Sequence, residues 1–176
     1  MVYNYMTENK KIRVAGLVND SIVDGPGFRF TVFVQGCPHH CDGCHNPETW
    51  DFAGGTEMTP EEIMERAGNN PLRHGFTFSG GEPFAQSTAL VPLAKLVKEQ
   101  GMELAIYTGF LFEEITADPE KRALAALADV VIDGPFIRKE KNLTLKFKGS
   151  NNQRIIDAAA SLAAGKVVLN TSERWN

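Results

Sequence analysis

The chain has 176 residues, of which 43% are apolar and 23% are charged. This is the size and composition of one globular domain that can bury a core without disulfide bonds. The net charge of -4 excludes the basic field that nucleic acid or an anionic membrane would require. No apolar run is long enough to span a bilayer, and the first ten residues lack the apolar stretch of a secretory signal. We therefore expect a single domain of residues 1–176, with a core at about 12–170, in the cytoplasm.

Short strand patterns alternate with helical patterns along the chain. We expect strands at residues 12–18, 28–35, 76–78, 103–107, 129–132, 143–147 and 166–169. Helix signals predict four helices: from Thr59-Pro60 to near Gly68, from Ser87 or Thr88 to Gly101, from Asp118-Pro119 to about Leu127, and from a cap at Asn151 or Asn152 to Gly165. The aperiodic segment 36–55 predicts a long loop, and such loops in compact domains are usually functional.

This alternation predicts an α/β fold with parallel strands joined by crossover helices. Three predicted strands end in a small or polar residue followed by glycine, at Ser79-Gly80, Thr108-Gly109 and Asp133-Gly134. Because sites in α/β folds form at the carboxyl ends of the strands, we expect these positions to meet on one rim. At any single position, a glycine that merely ends a strand explains the pattern equally well.

All three cysteines lie within eight residues, as Cys37, Cys41 and Cys44. An odd, clustered set does not suggest a disulfide framework, and it is typical of metal ligands. A closed zinc site would need a fourth ligand, which one of the neighbouring histidines at positions 39, 40 and 45 could supply. An iron–sulfur cubane held by three thiolates would instead keep one iron free for a small molecule, and the spacing alone leaves both possibilities open.

The segment Ser79-Gly80-Gly81-Glu82-Pro83 follows the third predicted strand. Paired glycines allow backbone to come close to a ligand, and the Glu82 carboxylate could accept hydrogen bonds from an ammonium group. Alone, the segment is equally typical of a strand-to-helix turn with a solvated glutamate.

The two motifs together resemble the radical S-adenosylmethionine family, which combines Cys-x3-Cys-x2-Cys with Gly-Gly-Glu-Pro. Within that family the chain is similar to the glycyl-radical-enzyme activases, and most of all to those of anaerobic ribonucleoside-triphosphate reductase. The segments that carry this resemblance are DGPGFR (24–29), FVQGCPHHCDGCHNPETW (33–50), FSGGEP (78–83), YTG (107–109), VIDGPF (131–136) and KGSNNQR (148–154).

The resemblance implies an oxidoreductase with two cofactors. Cys37, Cys41 and Cys44 would bind a [4Fe–4S] cluster, and the contacts to S-adenosyl-L-methionine would come from Gly43, Cys44, His45, Gly80, Gly81 and Glu82. It further implies reductive cleavage to a 5′-deoxyadenosyl radical, which generates a glycyl radical on the large reductase subunit. No side chain would act as acid or base. The electron donor would be a protein such as a flavodoxin.

Chain length adds an expectation about shape. A complete eight-fold barrel takes about 250 residues, so 176 residues allow about six units. We therefore expect a partial, laterally open (β/α)6-type barrel of the radical SAM kind, whose open side could admit a loop of another protein. Two alternatives stay open: an activase of pyruvate formate-lyase or another radical SAM enzyme, and a zinc-stabilised binding module without catalysis. The basic segment 138–148 is a solvated loop and strand face, a docking patch or a contact to the cofactor carboxylate.

Overall fold

The computed structural model describes residues 10–176. Within this range seven strands form one sheet, in the order β3-β1-β2-β4-β5-β6-β7. The strands are β1 (Ile12–Ser21), β2 (Phe28–Val34), β3 (Thr56–Met58), β4 (Arg73–Gly80), β5 (Glu103–Tyr107), β6 (Val130–Asp133) and β7 (Arg154–Asp157). The α-helices are α1 (Pro60–Ala67), α2 (Ser87–Glu99), α3 (Phe112–Ala117), α4 (Pro119–Ala125) and α5 (Ala158–Ala164).

The sheet is mixed, so the expectation of a parallel sheet is correct only for its centre. β2, β4, β5 and β6 run parallel to one another, whereas β1 and β3 on one edge and β7 on the other pair antiparallel. β1 and β2 are joined by a short turn, which can connect only antiparallel neighbours. β7 follows β6 without an intervening α-helix, so no crossover returns the chain to the parallel direction.

Period-two alternation divides the strand residues between two faces of the sheet. The face that packs against the helices is apolar and buried, with Phe30, Val32, Phe76, Phe78 and Ile106 among its members. The capping box predicted for α1 is present, since the Glu62 N–H donates to Thr59 Oγ1 at 3.1 Å and the Thr59 N–H donates to Glu62 Oε2 at 2.7 Å. The opposite face carries the polar groups described below.

Two predictions fail in the segment between the end of β6 and the start of α5. Residues 143–147 form turns instead of a strand, because the Asn142 side chain accepts hydrogen bonds from the backbone N–H and the hydroxyl of Thr144. The helix predicted from Asn151 or Asn152 begins only at Ala158, where Asp157 is the cap. The preceding residues form β7, because Ile155 and Ile156 are buried on opposite faces of the sheet.

Two other elements differ less from the prediction. Helix α3 was not predicted, and the Asp133 carboxylate accepts a hydrogen bond from the first helical N–H, that of Phe112, at 2.8 Å. The strand expected at 166–169 is reduced to a single bridge between Leu169 and Ile156. Over residues 10–176, no helix is both long and apolar enough to cross a membrane.

Candidate metal and cofactor site

One cavity of about 830 Å³ opens where the parallel strands end. Its wall contains all three cysteines, and it also contains the residues that follow β4, β5 and β6, as the strand-end pattern predicted. This volume lies in the range of cavities that bind cofactors and small molecules. Residues of the wall include Asp24, Cys37, His39, Cys41, Cys44, His45, Trp50, Ser79, Gly80, Gly81, Tyr107, Gly109, Phe136, Leu143 and Phe147.

The cysteine loop holds three free thiols at one side of this cavity. Cys37 is buried, and Cys41 and Cys44 are half-buried. The two ends of the loop are tied together, since the Cys37 N–H donates to the carbonyl of Trp50 at 3.1 Å. A tight turn follows, in which the Cys44 N–H donates to the Cys41 carbonyl at 3.1 Å, and the Asn46 N–H donates to Cys44 Sγ at 3.4 Å. Backbone donors of this kind stabilise the thiolate, which is the form that binds a metal.

Burial and hydrogen bonding act in opposite directions on Cys37. Burial raises the pKa of the Cys37 thiol, because the charged thiolate loses solvation. Hydrogen bonds from the backbone N–H groups of His39 and His40 to the sulfur lower that pKa. These two donors therefore offset part of the cost of forming a buried thiolate.

The three histidines of the loop contact other groups. The His39 ring lies 2.7 Å from the Glu82 carboxylate, measured from Nε2 to Oε2. The His40 ring stacks on Trp50 with centroids 4.7 Å apart, and the His45 ring lies 5.2 Å from that of Phe136. Among residues 10–176, no three His, Cys, Asp or Glu side chains are gathered at one point that could hold a metal ion. The structure thus offers no preformed four-ligand zinc site in this range.

The Gly-Gly segment touches the cysteine loop directly. A Cβ on Gly81 would lie 2.4 Å from the carbonyl oxygen of Gly36, and a Cβ on Gly80, whose φ is +92°, would lie 2.7 Å from Phe33 Cα. The Gly81 N–H also donates to the Val34 carbonyl at 2.7 Å. Both glycines line the cavity, so this backbone is close to the cysteines, where the resemblance places it.

Glu82 lies elsewhere. Its side chain is fully buried, and it is absent from the cavity wall. The carboxylate accepts hydrogen bonds from the backbone N–H groups of Phe84 and Gly109, from the Thr108 hydroxyl and from His39, all within 2.7–2.9 Å. Its acceptor capacity is therefore already used within the protein.

Gly43 is also outside the cavity wall. Its φ of +75° is left-handed, and a Cβ there would lie 3.3 Å from Arg138 Cδ and 3.4 Å from Phe136 Cε1. The glycine therefore allows the cysteine turn to pack closely against the segment that follows β6. His45 and Cys44, its neighbours in the predicted cofactor-binding group, do line the cavity.

Several wall residues were not proposed from the sequence as site residues. Asp24 and Tyr107 line the cavity, as do Leu143 and Phe147, which belong to the segment predicted as a strand. Burial raises the pKa of Tyr107, and the nearby Asp24 carboxylate raises it further, so this phenol stays neutral at physiological pH. The segments that carry the resemblance include Asp24 and Tyr107, and this was the available signal.

The donor set fits the implied cofactors. Three free thiols are the protein ligands of a cubane with one open iron, whereas a single zinc ion needs four ligands and no cavity. The space of about 830 Å³ beside the thiols is large enough for a nucleoside-sized ligand. Glycine backbone from Gly81 and Gly109 forms part of the wall, where a ligand can approach without meeting a Cβ.

Comparison with known proteins agrees with this class of site. Residues 23–156 match the family described as a 4Fe-4S single cluster domain. The anaerobic ribonucleoside-triphosphate reductase-activating protein of Haemophilus influenzae is 35% identical over 144 residues, which cover 76% of this chain and 90% of that protein. The protein of the same name from Escherichia coli K12 is 31% identical, over 75% of this chain and 90% of its own. The pyruvate formate-lyase-activating enzyme of Clostridium pasteurianum is 43% identical over 54% of this chain, but over only 42% of its own length. Among solved structures, QueE from Escherichia coli aligns at 18% identity with a TM-score of 0.47, over 60% of this chain and 57% of that one.

Three thiols beside a ligand-sized cavity, together with the domain match, define an iron–sulfur protein with a single [4Fe–4S] cluster. More narrowly, the chain belongs to the family of anaerobic ribonucleoside-triphosphate reductase-activating proteins. This membership confirms the predictions of a radical SAM activating enzyme and of its two cofactors, the [4Fe–4S] cluster and S-adenosyl-L-methionine. The zinc-stabilised binding module is not supported.

Proposed function

We propose that this protein activates an anaerobic ribonucleoside-triphosphate reductase by generating a glycyl radical in its large subunit. The observation that carries the proposal is a single cavity whose wall contains Cys37, Cys41 and Cys44 as well as the Gly-Gly segment. The similarity to reductase-activating proteins over 90% of their length supports the choice of target.

When bound, the cluster and S-adenosyl-L-methionine supply an electron and a 5′-deoxyadenosyl radical that abstracts hydrogen from glycine. The chain itself would bind and orient these groups. Cys37, Cys41 and Cys44 would be the iron ligands, and the backbone of Gly80 and Gly81 would lie beside the amino group of the methionine moiety. His45 lines the same wall, and its imidazole would contact the nucleoside part. Gly43 and Glu82 would act indirectly, because they lie behind the wall.

Surface residues beside the cavity support a protein substrate. Val23 and Leu143 line the cavity and are 74% and 88% exposed. Exposed aliphatic side chains at the rim of a site are typical of a surface that a partner covers. The adjoining segment 138–148 carries five basic residues and one acidic residue, which could steer an acidic partner surface.

The partial, laterally open (β/α)6-type barrel remains part of this proposal. Four parallel strands form the centre of the sheet and the site lies at their carboxyl ends, as in a barrel. Among the described strands, β3 and β7 are the two edges of the sheet and do not pair with each other, as an open barrel requires. All seven described strands belong to one sheet, in support of a single domain.

We further propose a cytoplasmic location and an electron donor such as a flavodoxin, which three free thiols and a reductively driven reaction favour.

A second candidate is the activation of pyruvate formate-lyase. The relative from Clostridium pasteurianum favours it, with 43% identity. That match spans only 42% of the relative, whereas the reductase activators are matched over 90%. The reductase is therefore the preferred target.

The test is the appearance of a glycyl radical in the target protein. The anaerobically reconstituted protein is mixed with S-adenosyl-L-methionine, a reductant and either the large reductase subunit or pyruvate formate-lyase, and electron paramagnetic resonance detects the radical. We expect a signal with the reductase and little with the lyase. Cys41→Ser should abolish the signal and reduce bound iron while leaving the fold intact, since Cys41 is half-buried on a loop. A signal with the lyase alone would contradict the choice of target, and a full signal from Cys41→Ser would contradict the site.

A further inference from the structure

Glu82 joins four parts of the protein from a fully buried position. Oε1 accepts from the Phe84 N–H and from the Thr108 hydroxyl, each at 2.9 Å. Oε2 accepts from the Gly109 N–H at 2.9 Å and from His39 Nε2 at 2.7 Å. The backbone N–H of Glu82 donates to the Gly36 carbonyl at 2.8 Å. One residue therefore connects the end of β2, the turn before α2, the end of β5 and the cysteine loop.

The His39 ring is held on more than one side. Its edge meets the Phe110 ring at a centroid distance of 4.5 Å. A Cβ on Gly109 would lie 2.5 Å from His39 Cδ2, so only glycine leaves room for the imidazole there. The side chain is 18% exposed. Packing and the hydrogen bond to Glu82 together fix the orientation of the ring.

The backbone that carries this ring leads from the first cysteine to the second. Because His39 lies between Cys37 and Cys41 in the sequence, the packing and hydrogen bonding of its ring fix the chain that joins these two cysteines. Hydrogen bonds to cluster sulfurs and outer partners of metal ligands tune both potential and affinity.

We propose that Glu82 and His39 form a latch that positions the cysteine loop for cluster binding, and that the Glu82 side chain is not a ligand of S-adenosyl-L-methionine. Both are positioning residues, because they act through the conformation of the cysteine loop. This inference rests on the cluster-binding part of the proposed function, and it does not depend on which protein is activated.

The decisive variants are His39→Leu and Glu82→Gln. His39→Leu removes the donor to Glu82, while His39→Gln retains an N–H at a similar distance and should rescue. The matched control is His40→Leu, which removes an imidazole from the same loop, adjacent to Cys41, without touching Glu82. All four variants are reconstituted anaerobically and studied without any partner protein, so a failure to activate the reductase cannot be confused with a failure of the latch.

Iron release to a chelator and the cluster midpoint potential, followed by electron paramagnetic resonance, are the two measurements. We expect iron release to be faster by about 10–100-fold in His39→Leu and Glu82→Gln, the range found when outer partners of metal ligands are lost. Their potentials should become more negative, because a displaced cysteine loop donates weaker backbone hydrogen bonds to the cluster sulfurs and stabilises the reduced cluster less. His39→Gln should restore most of both values, and His40→Leu should change them little.

Two results would overturn the proposal. In the first, His39→Leu and His40→Leu give equal release rates and potentials. In the second, Glu82→Gln keeps its iron and its potential but loses affinity for S-adenosyl-L-methionine in equilibrium binding, which would make Glu82 a ligand contact. If Glu82→Gln fails to fold, as judged by circular dichroism, the comparison of His39→Leu with His39→Gln and His40→Leu decides alone.

Discussion

The two faces of the sheet are built from the same strands but from opposite chemistry. On the helix-facing side, Phe76, Phe78 and Ile106 are completely buried among apolar neighbours. On the other side the alternate residues include Thr77 and Tyr107, which belong to a polar layer and a cavity. Since strand side chains alternate with period two, one segment can contribute to stability and to the site without a conflict between them. Substitutions on the helix-facing side should therefore affect folding, and substitutions on the cavity-facing side should affect cofactor binding.

The cavity-facing side of the sheet combines a buried, hydrogen-bonded charge with a small apolar cluster. Arg29 is fully buried, and burial lowers the pKa of its guanidinium. Glu103 opposes that shift through an ion pair of 2.8 Å, and Thr77 Oγ1 accepts from Arg29 Nε at 2.7 Å. The Trp175 ring covers this guanidinium at 5.4 Å and forms a small cluster with Ile132 and other residues. The Arg29 charge on this side of the sheet is therefore paired with Glu103 and covered by Trp175.

The largest effect that separates the faces should come from adjacent residues of β4. Phe78→Ala removes a fully buried ring from the helix-facing side of the sheet and should lower the free energy of unfolding by about 3–5 kcal/mol. Ser79→Ala, one residue further along on the cavity side, should change it by less than about 0.5 kcal/mol. Denaturant unfolding measures both variants. Similar losses in the two variants would show that the faces are not energetically distinct.

The helix-facing side of the sheet was predictable because its sequence signals are local. Alternation in residues 28–34, the capping box at Thr59 and the glycine after α5 all depend on residues close in sequence. The cavity-facing side of the sheet depends on contacts between distant segments, such as Trp175 with Arg29. Trp175 belongs to no sequence motif, yet it is 1% exposed. Burial of this kind follows from tertiary packing and leaves no periodic pattern.

The candidate site divides in the same way. The cysteine spacing pointed to three residues that line the cavity, and the Ser-Gly and Thr-Gly pairs at the strand ends predicted the rim. The role of Glu82 was not predictable, because its hydrogen bonds come from Thr108, Gly109 and His39, which lie 26–43 residues away. The alternation Leu143, Leu145, Phe147 suggested a strand, but the Asn142 side chain competes for the backbone and forms a turn.

An intermediate effect should appear at the cavity rim, where side chains serve neither the core nor the cofactors. Leu143→Ser should leave the free energy of unfolding unchanged within about 0.5 kcal/mol, since Leu143 is 88% exposed. If the reductase covers this rim, the loss of apolar contact should reduce the rate of glycyl-radical formation at limiting reductase by about 5–30-fold, equivalent to about 1–2 kcal/mol. Cleavage of S-adenosyl-L-methionine without the partner should not change.

The matched control for the rim is Leu72→Ser. Leu72 is also an exposed leucine, at 64%, but it does not line the cavity. Its rate of radical formation should equal that of the unaltered protein. If both leucine variants lose the same activity, the effect reflects general surface polarity and the rim is not the docking surface.

The smallest effect should come from Glu113, the exposed partner of Arg154. Arg154 binds the fully buried Asp133 and also Glu113, whose side chain is 60% exposed and lies 2.8 Å away. Hydrogen bonding from Arg154 lowers the pKa of Glu113 in the folded state. The stability that it contributes is therefore present above the unfolded pKa and is lost as the pH falls through the folded one. Solvent screening limits the cost of Glu113→Gln at pH 7 to less than about 0.5 kcal/mol.

Denaturant unfolding at pH 7 and at pH 3 distinguishes this surface pair from the buried one. The small difference between Glu113→Gln and the unaltered protein should shrink toward zero at pH 3, because the carboxyl is then increasingly protonated in both folded and unfolded states. Asp133→Asn should cost more at pH 7, about 1.5–3 kcal/mol, since it weakens charged hydrogen bonds at a buried site that also caps α3. Equal costs for the two substitutions would mean that Arg154 is held by its exposed partner as firmly as by its buried one, and that burial is not what gives this edge of the sheet its strength.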